Sequence, residues 1–165
     1  MNISTKGRYG LRAMVDIAVH SFGDYIPLKI IAERQAISEN YLEQVFSILR
    51  KAKLVKSARG SQGGYTLSTE ASKITVGEVL RILEGDLNIA GDDDGVSGLD
   101  NNIKVCIDTI VWQEVNKQIN KVMDSVTLQD LVEKYKSLNS EYTLDFIIWI
   151  KNNDICIIQM LLFFI

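Results

Sequence analysis

The sequence predicts a mainly α fold carrying one small β-hairpin, and three observations lead there. Two amphipathic segments, residues 28–35 and 38–52, flank a short corner. Two strand-like segments around a glycine-rich turn follow directly, within residues 54–68. After a loop, apolar residues recur every three to four positions through residues 103–126, the period of one long helix. Helix, corner, helix and hairpin in that order describe a winged helix-turn-helix, to which the long helix is an addition.

Each element has a local reason. Residues 7–22 carry Leu11, Met14, Val15, Ala18 and Val19 at the spacing of one helical face, and Gly23-Asp24 stops the run. Pro27 suits the first turn of a second helix over residues 28–35, where Ile30, Ile31 and Ala32 are apolar. Ala36-Ile37 makes the corner, and Ser38 is a good N-cap for a third helix reaching Ala52. In that helix Leu42, Val45, Phe46 and Leu49 should be buried. Strands are expected at residues 54–58 and 65–68, with Arg59-Gly60-Ser61-Gln62-Gly63-Gly64 as the turn. Thr75 with Glu78 reads as a capping box opening a helix over residues 76–84, ended by Gly85.

Residues 86–102 read as a loop containing Asp92-Asp93-Asp94. A long helix over residues 103–125 carries Ile107, Val111, Val115, Ile119 and Val122, with Val126 just beyond it. Thr127, with Asp130 three residues on, caps a further helix over residues 128–137. Residues 155–165 are nearly all apolar but too few to span a bilayer, which takes about 20 residues. A docked helix or strand is the expected reading of this tail, ahead of an exposed segment foreign to the fold. The expected organisation is therefore a winged helix-turn-helix at 1–85, an effector or sensor loop at 86–102, dimerisation helices at 103–138 and an apolar tail at 139–165.

Composition narrows the function. The chain has 165 residues, 47% apolar and 24% charged, with a single proline, which suits a helical globular body. Its net charge of −3 hides a division: residues 1–65 sum to +5 and the remainder to −8. A basic N-terminal half points to a polyanion as partner. Met1 to Lys6 is polar and no secretory leader is expected, so the default compartment is the cytoplasm. Cys106 and Cys156 are too few for a disulfide framework. His20 is the sole histidine, and no nucleotide loop or metal signature accompanies it, so no enzyme activity is expected.

The third helix and the hairpin carry the chemistry. A recognition helix needs polar side chains in its first turns, because that end enters the major groove. Ser38, Glu39, Asn40, Tyr41, Glu43 and Gln44 stand there. Asn40 and Gln44 can bond an adenine edge twice, and Glu43 can accept from a cytosine amino group. Tyr41 can pack on a sugar or bond a phosphate. On the hairpin, Lys56 and Arg59 are cationic, and Gly60, Gln62 and Gly63 surround the tip. An arginine there suits a narrow minor groove, where negative potential concentrates. Lys6, Arg8, Arg50, Lys51 and Lys53 would contact phosphates, which fix position without reading sequence. The plain alternatives are a solvated helix face, a tight turn, and a winged helix used only for protein contacts.

These same segments resemble the Rrf2 family of bacterial regulators. The similarity lies in residues 3–10 (ISTKGRYG), 37–44 (ISENYLEQ), 54–65 (LVKSARGSQGGY), 74–80 (ITVGEVL) and 127–131 (TLQDL), so it covers about residues 1–138. The Arg-Gly-x-x-Gly-Gly-Tyr wing is its most specific piece. The resemblance implies a DNA-binding repressor of cysteine, sulfur or iron–sulfur metabolism genes. It also implies a homodimer joined through the long helix, binding a pseudo-palindromic operator. The apolar stripe of that helix agrees, since it is longer than one small domain can cover. The alternative is that the stripe packs on the first helix of its own subunit.

Cluster-binding members of the family place three cysteines around the start of the long helix. Cys106, six residues before Trp112, matches the third position, while residues 86–105 hold no cysteine. Asp94 and Asp100 lie near the missing positions, but a hard carboxylate is a poor ligand for iron–sulfur chemistry. The expectation is therefore no cofactor and no metal, as in the cluster-free branch, with Cys106 as a sensor candidate or a buried inert thiol. The alternative is a [2Fe-2S] sensor using Cys106 with non-cysteine ligands. A protein or small-molecule effector and double-stranded DNA complete the expected partners, with no membrane.

Overall fold

A computed structural model of the chain describes residues 3–21, 23–60, 63–88 and 101–152. Seven α-helices and one hairpin are found among them: α1 (Thr5–His20), α2 (Leu28–Gln35), α3 (Glu39–Lys51), β1 (Val55–Ala58), β2 (Gly64–Leu67), α4 (Val76–Glu84), α5 (Asn101–Ile107), α6 (Gln113–Ser125) and α7 (Leu128–Asn152). A 3₁₀ turn, Ala71–Lys73, precedes α4, and a π-wound segment, Asp108–Trp112, joins α5 to α6. The chain divides into two compact units, Met1–Leu131 and Val132–Ile165.

α1 begins two residues earlier than its periodicity suggests, because Ser4 caps it. The Ser4 hydroxyl accepts from the Lys6 amide at 3.1 Å. It also donates to Glu84 at the end of α4, at 2.6 Å. Burial pushes the Glu84 carboxyl up. The Ser4 hydroxyl and amide, the Gly7 amide and the Lys6 charge together outweigh that, holding it below the usual glutamate range. The buried face of α1 also differs from the apolar count. Gly7, Gly10, Ala13, Met14 and Ile17 are buried, while Leu11, Val15 and Ala18 pack at the core's edge. Small size decides it: a Cβ at Gly10 would run into Leu83, so these glycines let α1 lie close on α4.

The helix-turn-helix follows the sequence reading closely. Pro27, however, is the N-cap and not a first-turn residue; its ψ of 136° is extended. The cause is a backbone bridge just before it. Ile26 and Tyr65 exchange bonds of 2.9 and 2.8 Å, which adds a third strand position beside β2. Ala36 takes the left-handed conformation, φ 52°, so that Ile37 turns into the core. Leu42, Val45, Phe46 and Leu49 of α3 are all buried, as expected. They form one core with Met14, Ile17, Ile31, Val55, Val79 and Leu128.

β1 and β2 pair antiparallel from Val55 opposite Leu67 to Ala58 opposite Gly64. Gly60, at φ 107°, and Gly63 close the tip, where the Gly63 amide donates to the Gly60 carbonyl at 2.9 Å. A Cβ at Gly63 would press into the Ala58 carbonyl.

α4 opens at Thr75, whose hydroxyl accepts from the Glu78 amide at 3.1 Å. α6 packs on α4, where Arg81 donates to Asn120 at 2.7 Å and pairs with Asp124. A two-bond bridge closes this layer, Val76 to Val126 at 2.8 Å and Leu128 to Ile74 at 2.9 Å. Thr127 and Asp130 cap each other, the carboxylate taking the Thr127 amide at 2.8 Å. The Thr127 hydroxyl and amide hold the Asp130 carboxyl below its usual range.

Two boundaries are corrected. The long helix starts at Asn101, so the loop ends one residue before it, and its winding changes at Asp108–Trp112. α7 runs on to Asn152 instead of ending near Ser137. No glycine or proline occurs from residue 138 to 152, so nothing in the backbone chemistry stops it. The loop acids Asp92, Asp93, Asp94 and Asp100, Gln62, Cys156 and the apolar run 155–165 lie outside the described residues. Among the described residues no helix is long and apolar enough to cross a membrane.

Candidate nucleic-acid interface

α3 presents one face to the core and the other to solvent. Ser38, Glu39, Asn40, Glu43 and Gln44 are exposed at its N-terminal end. Ser38 is engaged as the cap, its hydroxyl accepting from the Tyr41 amide at 3.2 Å. This frees the first turns to project outward with their amides satisfied. It also sets the positive end of the helix dipole where an anionic backbone could approach.

Tyr41 departs from the expectation of an outward polar side chain. It is half-buried, with its ring edge-on to Tyr9 at 5.9 Å between centroids. Arg12 lies 5.6 Å from the Tyr9 ring and donates to the Gln35 carbonyl at 2.7 Å. Tyr41 thus belongs partly to the joint between α1 and α3, which its place beside the apolar stripe could have suggested.

The wing carries exposed Lys56, Arg59 and Gly60, with Gly63 half-buried. Arg50, near the end of α3, donates to Ser57 of β1 at 3.3 Å. On the core side Phe46 meets the Tyr65 ring at 4.7 Å. Helix and wing are therefore joined both on the surface and in the core. Arg8, Lys51 and Lys53 are exposed and Lys6 is half-buried.

Sequence reasoning missed the support beneath α2. Asp16 is buried and accepts from Arg34 twice, from Nε at 3.0 Å and from Nη2, and from Gln35 at 2.8 Å. His20 lies 3.7 Å away. The signal was available, since a lone aspartate inside an apolar stripe calls for a partner.

Cys106 is exposed on α5. The reading of it as a buried inert thiol is therefore wrong: at this position α5 packs nothing over it. Among the described residues no three His, Cys, Asp or Glu side chains converge. The stripe of the long helix is also exposed, with Ile103, Ile107, Ile110, Val111, Val115 and Val122 all open to solvent. Its contacts are with α4, not with α1. The alternative in which α1 covers the stripe is therefore excluded.

Two helices about a left-handed corner, an outward polar first turn and a hairpin braced against it define a winged helix-turn-helix regulator. The comparisons agree. Residues 3–134 match the family model "Rrf2: Iron-dependent Transcriptional regulator". The chain is 40% identical to the HTH-type transcriptional regulator IscR of Yersinia enterocolitica over 134 residues, 80% of this chain and 79% of that one. Among solved structures it is similar to CymR, the global cysteine regulator of B. subtilis, with TM-score 0.69, 38% identity and coverage of 81% and 98%. It is also similar to T. potens IscR, with TM-score 0.65, 44% identity and coverage of 82% and 88%. This chain belongs to the Rrf2 family of transcriptional regulators. It is a regulator and not an enzyme.

Proposed function

We propose that the chain is a cytoplasmic repressor that binds a pseudo-palindromic operator as a homodimer and controls genes of cysteine, sulfur or iron–sulfur metabolism. The observation that carries this reading is the joint display of Asn40, Glu43 and Gln44 on the exposed start of α3 beside a wing tipped by exposed Arg59. Asn40 and Gln44 read base edges in the major groove, and Glu39 and Glu43 reject mismatched sites by repelling phosphate. Lys56 and Arg59 hold the flanking groove, with Gly60, Gln62 and Gly63 allowing close approach. Arg8, Arg50, Lys51 and Lys53 neutralise phosphates. Two copies meet through the exposed stripe of the long helix, which supplies the two-fold symmetry a palindrome needs. The gene class is supported by the likeness to the cysteine regulator CymR and to IscR.

The roles separate under mutation. Gln44→Ala should cost about 1–3 kcal/mol at one base pair and relax preference there. Arg59→Ala should weaken all sites or narrow-groove sites first, with a shallower salt dependence. Competition binding against a base-substituted operator series distinguishes them. Unchanged preference in Gln44→Ala, with altered preference in Arg59→Ala, would remove base reading from α3.

Within this reading the protein works without an iron–sulfur cluster. Such clusters need soft thiolates, and the whole sequence has two cysteines, of which Cys106 alone lies in the long helix. Protein purified without oxygen should lack visible cluster absorption and stoichiometric iron. Either signal would return the chain to the cluster-binding branch. Cys106, being exposed, remains a candidate for thiol redox sensing.

A further inference from the structure

The long helix changes its winding at one place. Between α5 and α6, Asp108–Trp112 is π-wound, and the Gln113 amide donates to the carbonyl five residues back, that of Asp108. Ile107 and Gln113 on either side keep helical dihedrals, so the helix runs on without a break. A π segment of this size is one extra residue inserted into an α-helix.

That insertion turns one half of the helix relative to the other. An α-helix advances about 100° per residue, so positions four apart drift by about 40°. Ile103, Ile107, Val111, Val115 and Ile119 are spaced four apart throughout. In unbroken α-helix Ile103 would sit about 160° from Ile119, nearly on the opposite face. With one residue absorbed by the π turn, Ile103, Ile107, Val115, Ile119 and Val122 fall within a sector about 60° wide. Four of these five are exposed, Ile103 at 63% and Val122 at 62%. Val105 points about 180° away from the sector.

We propose that the π insertion sets the register of one continuous apolar seam from Ile103 to Val122, and that a second copy of this chain covers its full length, α5 included. The inference rests on the homodimer reading above and adds to it the upstream half of the interface. Charge favours a second copy as the occupant. Glu114 and Lys121 lie on the same flank of the seam, about 100° and 120° from its centre. Gln118 on that flank donates to Glu114 at 2.6 Å. An antiparallel copy related by a two-fold axis would bring each Glu114 towards the other chain's Lys121, so the face is complementary to itself.

Sedimentation equilibrium on full-length variants tests this, with circular dichroism confirming helix content. Ile103→Ser with Ile107→Ser should weaken the dimer at least about tenfold, while Val105→Ser should leave it within about twofold. Deleting Thr109 should leave the dimer intact, because an all-α helix one residue shorter keeps both half-seams in line. Deleting Thr109 and Ile110 together rotates α5 by about 100° and should weaken the dimer as the double serine variant does. Val122→Ser separates the two readings. A dimer weakened by Val122→Ser but untouched by the Ile103/Ile107 pair overturns the inference and leaves the homodimer standing. A dimer indifferent to all of them overturns both. Loss of the dimer on deleting Thr109 alone, with helix content retained, overturns the register role.

Discussion

Phe46→Ala should destabilise the first unit by about 3–5 kcal/mol, the ordinary cost of emptying a large aromatic site in a packed core. Phe46 is fully buried on the inner face of α3, and its ring meets Tyr65 of β2 at 4.7 Å. The same side chain therefore packs the core and seats the wing against the recognition helix. Urea unfolding should show a lower midpoint with an unchanged slope, since the surface exposed on unfolding is the same. Phe46→Leu, which keeps most of the apolar volume, should lose much less. Equal losses for both variants would mean that ring contact, not volume, holds the joint.

Arg34→Ala is the second large effect, at about 3 kcal/mol or more, because it leaves a buried carboxylate without its principal partner. Asp16 has a side chain with no exposed surface, and Arg34 supplies two of its hydrogen bonds. Only Gln35, at 2.8 Å, and the His20 ring, at 3.7 Å, would remain beside it. The penalty belongs to the abandoned charge and not to the pair, so Asp16→Leu with Arg34→Met should recover most of the loss. A double variant as unstable as Arg34→Ala would show that the pair itself stabilises the α1–α2 joint. Arg34 lies near the corner, so the single variant should also weaken DNA binding at temperatures where it remains folded.

What could be read from the sequence was what short-range chemistry dictates. Ser38 announces α3 because its hydroxyl satisfies an amide three residues on. Leu42, Val45, Phe46 and Leu49 announce the buried face because helical spacing stacks them. The glycines about Arg59 announce the wing because few other residues make so tight a tip. The exposed base-reading candidates followed from those elements, apart from Tyr41, which shares its ring with Tyr9.

The remainder depends on partners distant in the chain. Nothing near Ile26 signals a bridge to Tyr65, since both bonds are to main chain. Glycine carries no weight in an apolar count, so the close face of α1 at Gly7 and Gly10 was misplaced towards Leu11 and Val15. Asp16 was passed over because its partners stand 18 and 19 residues away. The π turn left a trace, the strict four-residue spacing from Ile103 to Ile119, which an unbroken α-helix cannot keep on one face.

The direct test of DNA recognition by paired winged helices is a salt titration of operator binding, with the stoichiometry measured alongside. Six phosphate contacts from the basic side chains of two subunits give a slope of about −5 in log K against log salt. The expected result is two chains per duplex with a slope at least that steep. Binding that is flat with salt, or one chain per duplex at saturation, would contradict it.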